Sequence, residues 1–166
     1  MKKFLGIVVV AVAVISVAGA LTISHMNLSA LPEPGPTETR LATGAKRYLV
    51  RRASRGIIAP APRDPQASLT EGDKAFGTDC SPCHGASGRK ATDAGRWMYP
   101  RAADLGSAEV QRYSDAELFW IVKNGIRLSG MPAFGKLESD DTIWDVVRLV
   151  RTLPSKPVPE GGGTAH

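Results

Sequence analysis

The sequence predicts an all-α protein: three or four short helices in one small domain, behind a long apolar N-terminal helix. Three observations carry that expectation. Residues 4–23 are 20 consecutive uncharged, mostly apolar residues behind Lys2 and Lys3. Further along, Ser68-x-x-Glu71, Ser114-x-x-Glu117 and Ser139-Asp140-Asp141 each open a segment with helical apolar spacing. No parallel-sheet strand pattern lies between them.

The first 25 residues read as a membrane anchor or a signal segment. Twenty apolar residues suffice to span a bilayer as a helix. Ala18-Gly19-Ala20 also fits a small-x-small cleavage site. Because the apolar run continues through Leu21, Thr22 and Ile23, an uncleaved anchor is the favoured reading. Both readings export the rest of the chain, and Lys2 and Lys3 favour an N-terminus inside.

Residues 26–65 form a Pro-rich, basic connector. Leu31–Pro36 (LPEPGP) breaks the chain, and Ala59–Pro65 (APAPRDP) is a second stiff stretch in which prolines disfavour helix. Between them, Thr37–Gly56 carries Leu41, Ala45, Tyr48 and Leu49 near one helical face, with arginines and lysine over much of the rest. Such a helix can lie on an anionic membrane surface or dock on an acidic partner; a solvated, partly disordered linker is the alternative.

Charge follows this division. Of the net +5, residues 40–63 contribute seven basic side chains and no acid, +7, whereas residues 64–153 hold 11 basic and 13 acidic ones, 11 − 13 = −2. The pI near 9.5 therefore describes the connector. No recognition motif accompanies the basic charge and the segment is exported, so nucleic acid is not an expected partner.

Residues 66–154 read as the compact domain. Its first helix opens at Ser68 and runs to Cys80. A second, AELFWIVKN, is stopped by Gly125; its apolar run could pass for a strand, but cap and terminator decide for helix. A third, capped at Ser139, presents Ile143, Val146, Val147, Val150 and Leu153 on one face and ends at Pro154. Residues 85–106 read as loop, and 155–166 as a disordered tail. About 90 residues in three or four short helices make a thin core.

Cys80-Ser81-Pro82-Cys83-His84 explains how such a core is completed. Two thiols spaced x-x with a following histidine suit covalent haem c attachment, the thiols adding to the porphyrin vinyl groups and the imidazole reaching the iron. Both cysteines of the chain lie in this motif. A redox disulfide would want a βαβ setting, and a structural zinc site needs four ligands, for which neither His25 nor His166 is well placed. Residues 85–106 then wrap the haem.

Met131, 47 residues after His84 in Ser129-Gly130-Met131-Pro132, suits the opposite axial position. Met98 is the rival; it lies 14 residues after His84 and lacks the Gly-Met-Pro turn. His84 is the only histidine in the domain, which disfavours bis-histidine ligation. Arg101 and Trp97 are candidates to hydrogen-bond the haem propionates; Trp120 and Trp144 read as haem-cavity packing. No catalytic base, nucleophile or small-molecule substrate site is evident.

These residues resemble class I cytochrome c over about 66–154. In that family a Gly and an aromatic of the first helix cross the last helix, and Gly72, Phe76 and Trp144 fit those positions. Met98–Leu105 is similar to the family's Pro-rich segment, and the resemblance implies a proline carbonyl, Pro100 here, as acceptor for the His84 Nδ1–H. It also implies Cys80, Cys83, His84 and Met131 as haem-binding residues, with iron held by His84 and Met131. Anchor and LPEPGP linker together resemble the membrane-bound, single-haem bacterial members.

The implied function is electron transfer, not catalysis, by a periplasmic haem domain tethered to the bacterial inner membrane and its lipid. The implied partners are redox proteins of the respiratory chain: a quinol-oxidising complex, a terminal oxidase or a dehydrogenase. A fixed subunit of one such complex is the alternative, and a haem sensor or peroxidase a more distant one.

Overall fold

Residues 2–25, 29–62 and 64–153 are described by the structure, a computed structural model. The expected terminator Pro154 and the tail 155–166 lie outside the described residues. The chain divides into two compact units between Ala30 and Leu31. The first is a single helix, α1 (Lys2–Ser24), whose span Lys3–Ser24 is long and apolar enough to cross a membrane, with a mean hydropathy of 2.8. A signal sequence shares that character.

The second unit is helical throughout, and no strand occurs among the described residues. Asp64 opens α3 (Pro65–Ala75): its carboxylate accepts the Gln66 and Ala67 amides at 2.8 and 3.1 Å, with Pro65 in the first turn. The cap expected at Ser68 is thus one turn too late. Ser68 instead lies inside the helix, buried, its hydroxyl donating to the Asp145 carboxylate. From α3 the chain passes through a π-helical turn (Phe76–Cys80) into α4 (Ser81–His84), so the cysteine motif rides on a helical extension.

Two short helices, α5 (Asp93–Arg96) and α6 (Ala108–Gln111), interrupt the expected loop and the stretch after it. The capping box at Ser114 opens α7 (Asp115–Asn124): the Ser114 amide donates to Glu117 at 2.6 Å and the Glu117 amide to Ser114 Oγ at 3.2 Å. Gly125 ends it at φ 67°, a conformation that glycine adopts without steric cost. Ser139 caps α8 (Asp140–Thr152), accepting from the Thr142 amide at 3.1 Å. All five apolar residues assigned to one face of that helix are buried.

The core is assembled around α8. Gly72 brings α3 against the α8 backbone at Asp145. From α7, Phe119 stacks on Trp144 with ring centroids 4.2 Å apart and planes 15° from parallel.

The connector joins this core. The expected helix is α2 (Pro36–Ala53), packed against α7, but it does not bury the face that apolar spacing indicates. Thr43, Lys46, Arg47, Val50 and Ser54 turn inward, and Val50 is only 2 % exposed. Arg47 stands 5.4 Å from the Tyr113 ring centroid. Around it, Tyr99 Oη donates to Glu38 at 2.6 Å, Arg101 pairs with Glu33 at 2.7 Å, and Arg148 donates to the Pro60 carbonyl at 2.7 Å. One well-buried valine and a set of polar ties hold this side of the connector inward, with Tyr99, Arg101 and Tyr113 meeting Glu38, Glu33 and Arg47.

Candidate functional site

A cavity of about 240 Å³ opens between the π turn, α7 and α8. Cys80, Cys83 and His84 line it from the π turn and α4, and Leu118, Ile121 and Val122 from α7. Val146, Val147 and Val150 line it from α8, and Met131 from the loop after α7. Apolar side chains dominate, as a flat hydrophobic group would require.

The chain clamps α4 from behind. Thr92 takes two roles: its amide donates to the Cys83 carbonyl at 3.1 Å and its hydroxyl to the Pro82 carbonyl at 2.6 Å. Its hydroxyl also accepts the Gly95 amide, capping α5. The cysteine backbone and the following loop are thereby one hydrogen-bonded unit. Only the Thr92-Asp93 helix-start pattern signals this in the sequence.

His84 is held in a single tautomer. Its Nδ1 lies 2.9 Å from the Ala103 carbonyl; a carbonyl can only accept, so Nδ1 carries the proton and Nε2 keeps its lone pair. Burial lowers the His84 pKa, against the opposing effect of the Ala103 bond. Burial thus favours the neutral imidazole, the form that binds a metal. The acceptor is Ala103 rather than Pro100. Ala102 N donates to the Gly95 carbonyl at 2.9 Å, and this tie carries the next carbonyl, three residues beyond the proline, to the ring. Pro100 lines the cavity instead.

Cys80 and Cys83 are free thiols. Burial, with help from the negative charges of Asp79, Cys83 and Glu138, pushes the Cys80 pKa up to about 12. A thiol exchanging disulfides needs the opposite, a pKa depressed toward neutrality. No group of three or more His, Cys, Asp or Glu side chains that could hold a metal ion occurs among the described residues.

Met131 is set by a tight loop. Its amide donates to Ser129 Oγ at 3.2 Å, and Ser129 Oγ donates to the Ile126 carbonyl at 2.8 Å. The Ile126 amide closes the loop onto the Met131 carbonyl at 3.3 Å. Met98 also lines the cavity and packs on Gly130, where a Cβ would come within 2.9 Å of its Cγ. Both methionines named from sequence thus reach the site, Met98 as a buttress of the loop that carries Met131.

The remaining assignments divide. Arg101 lines the cavity, with its guanidinium also tied to Glu33. Trp97 does not line it: the residue closes α5, and its side chain is 77 % exposed. Trp144 and Trp120 belong to the packing behind the cavity and not to its wall, because the residues of α7 and α8 that face inward are Leu118, Ile121, Val122 and the valines. Lys46, from α2, is a lining residue that the sequence did not single out.

Two free thiols, a neutral imidazole with one lone pair available, a thioether and an apolar wall fit haem c. The family described as cytochrome c oxidase, cbb3-type, subunit III matches residues 67–150, half of the chain. The chain belongs to this family of c-type cytochromes. No curated protein matches it. Among solved structures, a chain of the Kuenenia stuttgartiensis reducing HAO-like protein complex is similar in fold, with a TM-score of 0.51 and 21 % identity over 58 % of this chain. The match spans 49 % of that protein, about half its length. This chain is thus a class I c-type cytochrome, and its two cysteines have the spacing of the haem c attachment motif. Its N-terminal helix is compatible with a membrane anchor or a signal peptide.

Proposed function

We propose that this cytochrome is a membrane-tethered carrier that passes single electrons between respiratory or dehydrogenase partners through one His/Met-ligated haem, on the periplasmic side of a bacterial inner membrane. The convergence of Cys80, Cys83, His84 and Met131 on one apolar cavity carries the reading. Haem c, when bound, supplies a one-electron Fe(III)/Fe(II) couple. Cys80 and Cys83 would hold it covalently through thioethers. His84 offers Nε2 while Ala103 keeps the ring from turning. Met131 contributes a soft thioether that favours Fe(II) and raises the potential. Arg101, which lines the cavity, would meet a propionate, and the apolar wall would exclude water.

Retention of α1 as an anchor keeps the carrier beside membrane complexes, where a tether raises its effective concentration. A second reading, a fixed subunit of a larger complex, is favoured by the matched family, whose description is that of an oxidase subunit. Blue-native electrophoresis with haem staining separates the two: a stable high-mass band overturns the free carrier. A sensor or peroxidase needs an open sixth position, which Met131 fills in this reading.

A pyridine haemochrome spectrum of protein matured in a haem c-assembling host tests the core of the proposal. One thioether-linked haem per chain is expected; titratable thiols with no covalent haem overturn it.

A further inference from the structure

We infer that the outward face of α2 is an anionic-lipid docking surface, which lays this helix along the headgroups of the membrane. Because α2 presents Val50 and its neighbours to the core, the apolar face read from the sequence is left uncovered by the described residues: Leu41, Tyr48 and Leu49 are 70, 64 and 58 % exposed. They stand at i, i+7 and i+8, with Ala45, also exposed, between them. Ile58, just past the helix, is exposed as well. Spending this much apolar surface on water is costly, and lipid contact recovers about 25 cal/mol per Å² of it.

Charge selects the occupant. Arg40, Arg51 and Arg52 are exposed on α2, and Arg55 follows it. The one acid of the helix, Glu38, already accepts a hydrogen bond from Tyr99. Arginines beside leucine and tyrosine, on a helix of low overall hydropathy, match an interfacial amphipathic helix. Such residues are drawn to an anionic surface, an attraction that salt screens. An acidic protein would satisfy the arginines too, but a bilayer is favoured by connectivity. Only residues 25–35, 11 in all, separate Ser24 at the end of the membrane-length helix from Pro36. Fully extended they reach no more than about 40 Å. The preference for a bilayer over a protein thus rests on the reading of α1 as a retained anchor.

Hydrogen exchange of the full-length, haem-loaded protein in lipid nanodiscs tests it. Discs of phosphatidylcholine alone are compared with discs that also contain phosphatidylglycerol. Exchange of peptides covering 40–55 is expected to be at least about tenfold slower in the anionic discs, equivalent to about 1.4 kcal/mol. Molar salt, or Leu41→Ser with Leu49→Ser, should abolish the difference, while peptides of α8 stay unchanged in every sample. Equal rates in the two discs overturn the inference, as does slowing that appears only in native membranes, which would indicate a protein partner. Co-elution with neutral discs reports the anchor separately. A protein that leaves neutral discs but binds anionic ones refutes the anchor and sustains the docking surface.

Discussion

Gly72 meets the backbone of Asp145 with no room between them: a Cβ on residue 72 would lie 2.7 Å from the Asp145 carbonyl carbon and 3.2 Å from the Val146 nitrogen. The obstacle is backbone, which cannot rotate aside. Gly72→Ala should therefore force α3 and α8 apart and strip the part-buried contacts of Ser68 with Asp145 and Arg148. We expect a loss of about 2–3 kcal/mol, at the upper end of overpacking penalties, read from the denaturant midpoint of the haem-loaded protein. An unchanged midpoint would show that the helices can separate freely.

Met131 and Met98 make different predictions although both line the cavity. Met131→Ala should abolish the thioether-to-iron charge-transfer band of the oxidised protein and lower its midpoint potential. It should also convert carbon monoxide binding by the reduced form from negligible to stoichiometric. Met98→Leu keeps the packing on Gly130 and should leave the band in place. If the band follows Met98, the ligand assignment is reversed.

Val50 tests whether the connector is part of the folded unit. It belongs to the buried core cluster, 2 % exposed, on a helix packed against α7, so Val50→Ala leaves a small cavity and should cost about 1–2 kcal/mol. Leu49→Ala, one residue along but on the exposed face, should cost less than about 0.5 kcal/mol in detergent solution. Equal effects at the two positions would contradict the observed face of α2.

Tyr113 is buried and its hydroxyl has no hydrogen-bond partner among the described residues. Tyr113→Phe should be neutral or stabilising by up to about 1 kcal/mol, since it removes an unsatisfied polar group at nearly constant shape. Burial raises the Tyr113 pKa, and Arg47 opposes this. The sign follows from linkage. Above about pH 10 the unfolded phenol has lost its proton while the folded one keeps it, so stability is full below that pH and falls as pH rises. The slope from this group is at most about 1.4 kcal/mol per pH unit. Thermal melts between neutral and alkaline pH should show the fall in the parent and its reduction in the Tyr113→Phe protein.

Local signals were legible wherever a residue acts on its own neighbours. The Ser114–Glu117 box, the Gly125 stop, the Ser139 cap and the buried stripe of α8 need only contacts within four residues. The same is true of Cys80, Cys83 and His84, whose chemistry lies in their spacing. Ser68 failed because Asp64-Pro65 offers a better cap one turn earlier, and a serine freed from capping was available for Asp145 on a distant helix.

By itself, then, the sequence determined the longer helices, the cysteine–histidine motif and the apolar N-terminal span, since each is written in short-range periodicity or bond-forming chemistry. Tertiary structure alone decided which carbonyl holds His84, which aromatics line the cavity and which face of α2 is buried. Those choices depend on what surface arrives opposite each residue after collapse. For α2 the local pattern pointed to Leu41, Tyr48 and Leu49, and packing selected Val50, because burial stabilises only the side that finds a complementary wall.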